Sequence, residues 1–389
     1  MYFADEPEHV SQLRDTLRRF NEKEAPRAKR REWQAAQMWP RDVFAKLADL
    51  GVCGLTVPEE FGGLGQDWYA ATAVIEELCR VGMFISGPYI QCAFYGGGNI
   101  SESGSPEQKA TLLPKIAAGE LLFAYGLSEP DTGGDLASVK TRAHLEDGGN
   151  TVVINGAKRW CTGADWADYI LCFVNSDPAG EKYKNLSMVL VPSDAPGITR
   201  QALTHQNLVY SHSFDVYFDD VRVPVANVLG GPEQWNQGWR SLAGRSLDVE
   251  KVEVAAMNFG LAQNAVEEAW EYAQQRHQFG KPISGHQAVR HELVQARTRL
   301  EACRHMLYHA AWLIDQGRPA SVETSMAKLF IGETGVEIGI ACQRILGAYG
   351  MSEEFDMAQT VQDLLGMPIV GGSSNMQKNN IANRLGLAQ

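Results

Sequence analysis

The chain of 389 residues lacks several features that would place it quickly. Basic residues are outnumbered: 35 Lys and Arg stand against 47 Asp and Glu, a formal net charge of −12. So acidic a chain has no broad basic field for nucleic acid as a main partner, although a local basic site for a phosphorylated ligand is compatible with it. No apolar run approaches the ~20 residues of a membrane span. There is no Cys-x-x-Cys, and the seven cysteines (Cys53, Cys79, Cys92, Cys161, Cys172, Cys303, Cys342) are odd in number. With no signal peptide, they read as reduced thiols of a cytoplasmic protein, mostly core fillers. No Gly-x-Gly-x-x-Gly follows a strand and no Walker loop is present, so neither a Rossmann nor a P-loop site is supported.

What is present reads as a soluble globular protein: 44% hydrophobic and 21% charged residues, enough for two or three packed units. Val10, Leu13, Leu17 and Phe20 recur at helical spacing. Residues 44–65 read as a helix stopped by Gly51, an extended piece and a Gly-rich turn. Further helices fit 68–82 and 88–102, and Ser105-Pro106 caps another that runs to about Ala118. From about 122 the period becomes two, with strands at Val152, Tyr169, Leu186 and Phe214 and turns at Asp147-Gly-Gly and Pro196-Gly. From about 235 helical periodicity returns near 236–275, 285–317, 320–350 and 353–365, as expected of a four-helix bundle. The expected fold is multidomain α+β: an all-helical unit at 1–121, an antiparallel β unit at 122–232 and a helical bundle at 233–389.

Two loops stand out. Leu127-Ser-Glu-Pro-Asp-Thr-Gly-Gly-Asp135 follows an apolar run, and Arg159-Trp-Cys-Thr-Gly163 follows the Val152 segment, which reads as a half-buried strand. A sheet could bring the two side by side. The first offers hydroxyls and N–H groups at Ser128, Thr132, Gly133 and Gly134, and the second a flat indole at Trp160 with a hydroxyl at Thr162. That set suits a planar heteroaromatic ligand such as a flavin, and alone it equally describes a β unit with a buried Trp. A metal in the bundle would need Glu-x-x-His on two helices, and the only such run is Glu6-Pro-Glu-His9. Glu301, His305 and His309 share a helical line that reads as a solvated face.

Leu-Ser-Glu-Pro-x-x-Gly-Gly-Asp followed by Trp-Cys-Thr resembles the paired signatures of the acyl-CoA dehydrogenase family, and the resemblance covers nearly the whole chain. It implies FAD as cofactor, contacted by Tyr125, Leu127, Ser128, Gly133, Trp160 and Thr162, with Trp-x-Thr packed on the ring. Arg276-His-Gln-Phe-Gly and His286-Gln287 match the family segment that holds the pyrophosphate of a neighbouring subunit's FAD. Arg276, Phe279 and Gln287 are therefore implied cofactor contacts, and a planar guanidinium suits a phosphate. Read without the family, the same segment is a helix end with a Gly stop and Pro beyond. Arg344-Ile-Leu-Gly347-Ala stands where the family often has Gln-Ile-Leu-Gly-Gly, so Arg344 and Gly347 take the adenine side. Ser373 and Asn375 complete the implied cofactor set.

Oxidising a thioester between its α and β carbons needs a carboxylate at the α-proton while hydride leaves for the flavin. Many family members carry this Glu near the C-terminus, where Gly371 stands here. A second family position, used in the isovaleryl- and long-chain-type branches, matches Leu247-Asp248-Val249-Glu250-Lys251, 26 residues before Arg276. Those branches carry a small residue at the C-terminal position, so the two departures compensate each other. Glu250 heads the apolar line Val254, Met257, Leu261, Ala265, and desolvation there would raise its pKa. The Gly371 N–H could still supply part of an oxyanion hole. Asp248, Lys251, Gly134 and Gly371 are the implied substrate side, where Gly134 replaces a Ser and Lys251 an Arg.

The resemblance thus implies an FAD-dependent acyl-CoA dehydrogenase forming a trans-2-enoyl thioester, with an electron-transfer flavoprotein as acceptor and a homotetramer with FAD at a dimer interface. Arg299-Leu-Glu-Ala-Cys-Arg-His and Asn383-Arg-Leu-Gly-Leu also resemble dehydrogenases of acyl or prolyl groups on carrier proteins. A flavin monooxygenase would have no use for a base at Glu250, and a non-catalytic subunit would not need to keep both it and the flavin contacts.

Overall fold

The computed structural model describes residues 6–36, 39–208 and 212–387. The N-terminal part is helical: α1 (Glu8–Glu24), α2 (Arg27–Ala36), α3 (Arg41–Ala48) and α4 (Trp68–Cys79), then α5 (Ser86–Tyr89) and α6 (Asn99–Ser103) joined by a π-helical stretch over Ile90–Gly98, then α7 (Pro106–Ala117). Ser105 caps α7 as its sequence indicates: its hydroxyl accepts from the Gln108 N–H, and the Gln108 side chain accepts from the Ser105 N–H. One expectation fails. The piece after Gly51 is not extended; Val52–Thr56 winds into a 3₁₀ turn with all five residues buried. Its partner is remote in sequence, since the Leu64 N–H donates to the Gly54 carbonyl at 2.8 Å.

The middle part is a seven-stranded sheet: β1 (Phe123–Gly126), β2 (Arg142–Glu146), β3 (Thr151–Thr162), β4 (Tyr169–Asn175), β5 (Leu186–Pro192), β6 (Ile198–Ala202) and β7 (Ser213–Pro224). It is mixed rather than wholly antiparallel, because β1 joins β4 in parallel register, Phe123 opposite Tyr169. The Val152 strand is buried on both faces at Val152, Val153 and Ile154 rather than half-buried, because one face meets a core made by β4, β5 and β7.

The C-terminal part departs from four comparable helices. A short α8 (Gly238–Ser241) and a π-type turn precede α9 (Leu247–Gln275), with the chain bent at Gly244. Then come a two-residue hairpin, β8 (His277–Gln278) with β9 (Lys281–Pro282), and α10 (Gln287–Asp315), α11 (Ser321–Leu346), α12 (Met357–Gly366) and α13 (Ser374–Arg384). Among the described residues three of these helices, α9 to α11, are long, and α8, α12 and α13 are short. The bend at Gly244 sets Glu250 in the first turn of α9, whose buried face packs on α4 and α11. Among the described residues no helix is long and apolar enough to cross a membrane.

Candidate active site

The two signature loops are held together by buried polar contacts. The Arg159 N–H donates to the Ser128 carbonyl at 2.9 Å, and the fully buried Lys158 ammonium donates to the Leu127 carbonyl at 3.1 Å. Lys158 also pairs with Glu129 at 2.9 Å, and the Glu129 carboxylate accepts from the N–H groups of Lys140 (2.6 Å) and Thr141 (2.8 Å). Glu129 and Lys158 therefore lock the Ser128 loop onto β3. At the same place β3 slips register against β7 between Lys158 and Cys161, and Trp160 takes φ 63°. A bulge re-aims the side chain it carries, and a left-handed backbone is uncommon for a bulky residue. The result is an indole 52% exposed beside the loop. Two residues on, the Thr162 hydroxyl lies 3.0 Å from that of Ser213, and its carbonyl accepts from Gln91 at 2.7 Å. Gly133 and Gly134 are exposed, and a Cβ on Gly134 would stand 3.0 Å from the Met376 sulfur. The loop therefore adjoins the start of α13, where Ser373 caps the helix and Asn375 is exposed.

Glu250 lines a cleft together with Trp68, Tyr95, Tyr125, Arg245 and Glu253. Burial pushes its carboxyl up to about 7, against the opposing pull of the Lys251 and Lys328 ammonium groups. That burial outweighs the helix N-terminus, which favours the charged form. Tyr125, an expected cofactor contact, stands on the wall of this cleft, with its hydroxyl bonded to Asn99 (2.7 Å) and Ser246 (3.2 Å) and its ring on Tyr95. Asp248 and Lys251 face each other at 2.9 Å, one turn apart.

Gly371 has φ 60°, and a Cβ there would lie 2.6 Å from Val254 Cγ2, one turn beyond Glu250 on α9. The helix that brings Glu250 thus fills the space a side chain at 371 would need. The segment is clamped through its carbonyls. Lys328 donates to Gly372 (2.7 Å) and Met367 (3.2 Å), and Gln377 donates to Gly372 (2.9 Å). Among the described residues the Gly371 N–H makes no hydrogen bond. Gly371→Ala should therefore lower kcat by roughly tenfold or more, because both the φ and the contact oppose a Cβ there. Steady-state kinetics beside a thermal scan would check it; a variant equal to the parent would show that this segment has slack.

The remaining expected contacts lie elsewhere. Arg276, Phe279, Gln287, Arg344 and Gly347 are all exposed at the far end of the bundle. Phe279 (φ 52°) and Gly280 (φ 81°) form the turn of the β8–β9 hairpin, so Gly280 does not stop a helix. The Phe279 side chain is 93% exposed, and the Arg276 guanidinium lies 5.9 Å from the Tyr349 ring, with no ion pair among the described residues. The 26 steps from Glu250 to Arg276, helical as far as Gln275, advance about 39 Å, too far for one dinucleotide to touch both in one chain. An exposed ring, a presented indole and an unpaired guanidinium fit a flavin dinucleotide shared between two chains. Sequence reasoning missed Tyr95, Asn99, Ser246, Glu253 and Lys328. Only Glu253, three positions after Glu250, had a visible signal. The Glu301–His305–His309 line is a surface feature, with His305 and His309 exposed and His309 stacked on Trp312.

A strand-end indole beside a hydroxyl-bearing loop, with a half-buried carboxylate on an adjoining helical bundle, fits a flavin-dependent oxidoreductase. Family models match most of the chain: the acyl-CoA dehydrogenase N-terminal domain matches residues 7–120, the middle domain 124–221 and the C-terminal domain 236–386. The chain is 32% identical over 375 residues to a probable acyl-CoA dehydrogenase, YngJ, of Bacillus subtilis (strain 168), covering 96% of this chain and 97% of that one. It is 31% identical to the caffeyl-CoA reductase-Etf complex subunit CarC of Acetobacterium woodii, over 99% of each chain. The solved structure of a glutaryl-coenzyme A dehydrogenase glutaryl-CoA complex superposes with a TM-score of 0.92 at 31% identity, covering 100% of this chain and 98% of that one. The chain belongs to the acyl-CoA dehydrogenase family, whose members bind FAD, and is an oxidoreductase.

Proposed function

We propose that the protein dehydrogenates an acyl-CoA thioester between its α and β carbons, with Glu250 taking the α-proton. The observation that carries this is a half-buried carboxyl on the wall of a cleft, raised to about 7, where a base can both be ionised and accept a proton. FAD, when bound, supplies the acceptor for the β-hydride. Trp160 and Thr162 would hold its ring, the Ser128 loop with Leu127 and Gly133 its edge, and Ser373 and Asn375 the side toward α13. Arg276, Phe279 and Gln287 would hold the diphosphate of the FAD in a second chain, with Arg344 and Gly347 toward its adenine. The Gly371 N–H would polarise the thioester carbonyl, which acidifies the α-proton. Asp248 and Lys251 would flank the entry of the thioester. The same reading makes the protein a cytoplasmic homotetramer, a dimer of dimers, that passes electrons to an electron-transfer flavoprotein. It divides the chain at 121/122 and 232/233.

The test is anaerobic mixing of the purified flavoprotein with a panel of acyl-CoAs. The flavin band should bleach, and kcat/KM should fall as pH drops below about 7, because protonated Glu250 cannot accept the proton. A colourless protein, or a rate flat from pH 5 to 8, would remove the proposal.

A further inference from the structure

The cleft around Glu250 is not lined as a hydrocarbon pocket would be. Trp68, Phe94 and Val249 are apolar, but Tyr95, Asn99, Tyr125, Ser246 and Glu253 share the wall. Three of these polar groups satisfy one another. Asn99 donates to the Tyr125 hydroxyl at 2.7 Å, the Tyr125 and Ser246 hydroxyls lie 3.2 Å apart, and Ser246 donates to the Asn99 side-chain oxygen at 2.8 Å. Two lining groups are not satisfied: the indole Nε1 of Trp68 has no partner among the described residues, and neither has one oxygen of Glu253. Glu253 is 2% exposed, its Oε1 lies 3.4 Å from the Tyr95 hydroxyl, and its buried Oε2 is the oxygen without a partner. Burial first, and then the charge of Glu250, pushes this carboxyl well above the carboxylate range. The protonated acid can donate as well as accept. A buried polar atom without a partner is costly, and such exceptions in a folded protein call for a ligand or a role. Proton removal by Glu250 gives Glu253 none.

We infer that Glu253 recognises a neutral oxygen on the acyl group, so that the substrate is a short acyl-CoA bearing a hydroxyl or similar oxygen beyond the reacting carbons. This rests on the reading of Glu250 as the base. Three residues along α9 advance about 4.5 Å and return to nearly the same face, so the free oxygen stands a few atoms from the carbon that Glu250 deprotonates. A plain alkyl chain would bury Oε2 against hydrocarbon and leave it unpaired. A carboxylate is disfavoured for a different reason. The one basic residue among the described residues of the cleft wall is Arg245, five positions to the other side of Glu250, donating to the Ile314 carbonyl at 2.9 Å. A second anion there would join the carboxyl groups of Glu102, Glu250 and Glu253 against the single guanidinium of Arg245, which already lies 3.9 Å from Glu102.

Length-matched pairs test this: butyryl-CoA against 4-hydroxybutyryl-CoA, and valeryl-CoA against 5-hydroxyvaleryl-CoA, with glutaryl-CoA as the anionic counterpart. The hydroxylated member of at least one pair should have the higher kcat/KM by roughly 10²-fold, and should exceed glutaryl-CoA, because a site built for a hydrogen bond rejects the analogue that cannot make it. Glu253→Leu should erase or invert that ratio by raising the hydrocarbon rate relative to the hydroxylated one. Glu253→Gln, which can still donate, should keep most of it. If the parent oxidises the hydrocarbon member of each pair as fast as its partner, or if Glu253→Leu leaves the ratio unchanged, the inference is wrong while the dehydrogenase reading stands. If none of the five bleaches the flavin, the inference is wrong, and the dehydrogenase reading falls only if the wider acyl-CoA panel fails as well.

Discussion

Glu250→Gln will lose roughly 10³-fold or more of turnover and keep its flavin. A positioned general base is worth about 10²–10⁴ in rate, and an amide of the same shape cannot take up a proton. The flavin should survive because its expected contacts lie on other elements: Trp160 and Thr162 on β3, and the Ser128 loop that Glu129 fixes. The substitution should also change stability in a direction opposite to activity. Burial raises the Glu250 carboxyl from 4.5 to about 7, so the folded chain holds a proton that the unfolded chain has released. The contribution of Glu250 to stability is therefore greatest below about 4.5, falls as pH rises toward 7, and stays at its lower value above that. At about 1.4 kcal/mol per pKa unit, the ionised group costs on the order of 3 kcal/mol at pH 8, which the amide avoids. Denaturation midpoints at pH 5 and pH 8, taken beside kcat and the flavin absorbance, would read all three effects. A Glu250→Gln protein that turns over normally would show that another group removes the α-proton; one that is inactive but no more stable at pH 8 would place residue 250 in wetter surroundings than the cleft provides.

Much of this site could be read along the chain, and what escaped has identifiable causes. The position of Glu250 on the cleft wall was legible because its helical line is buried at Val254, Leu261 and Ala265 and half-buried at Met257. The pairing of the Ser128 and Trp160 loops was legible because period-two segments on either side imply a sheet. Val52–Thr56 was not, since its apolar, β-branched residues suit a strand and only packing against remote residues winds it into a turn. β6 was missed because Ile198–Ala202 is an exposed edge strand with no apolar alternation, paired to β7 alone. α13 was missed for a similar reason: in Ser374–Arg384 only Gln377 is buried, so no apolar stripe marks it. The relation between Glu250 and Glu253 is local and visible, but nothing local says that the second carboxyl would be left without a partner. That is settled by Tyr95, 158 residues away.

Lys158→Met should destabilise the sheet by roughly 3–5 kcal/mol, the usual cost of leaving one member of a buried ion pair behind. Lys158 is fully buried and Glu129 is 6% exposed, so water cannot replace the lost ammonium. The damage should reach the site, because the same ammonium holds the Leu127 carbonyl and thereby the Ser128 loop; flavin release should accompany it. Combining it with Glu129→Gln should recover part of the loss, since the abandoned charge is the larger component, although the N–H groups of Lys140 and Thr141 would then have a weaker acceptor. The pH dependence separates charge from packing. Burial alone would raise the Glu129 carboxyl, but the Lys158 ammonium and the Lys140 N–H outweigh it and hold it below its ordinary 4.5. In the parent the contribution of the pair is complete above that value and is lost as pH falls through the lower folded one. In Lys158→Met burial acts with less opposition, so the carboxyl protonates at higher pH and the deficit should shrink between pH 8 and 5. Chemical denaturation of the two proteins across that range, with flavin fluorescence as a second readout, decides it. A deficit that does not change with pH would mean that Lys158 serves mainly through its aliphatic stem, and that the loop is held by backbone contacts such as Arg159 N–H to Ser128 instead.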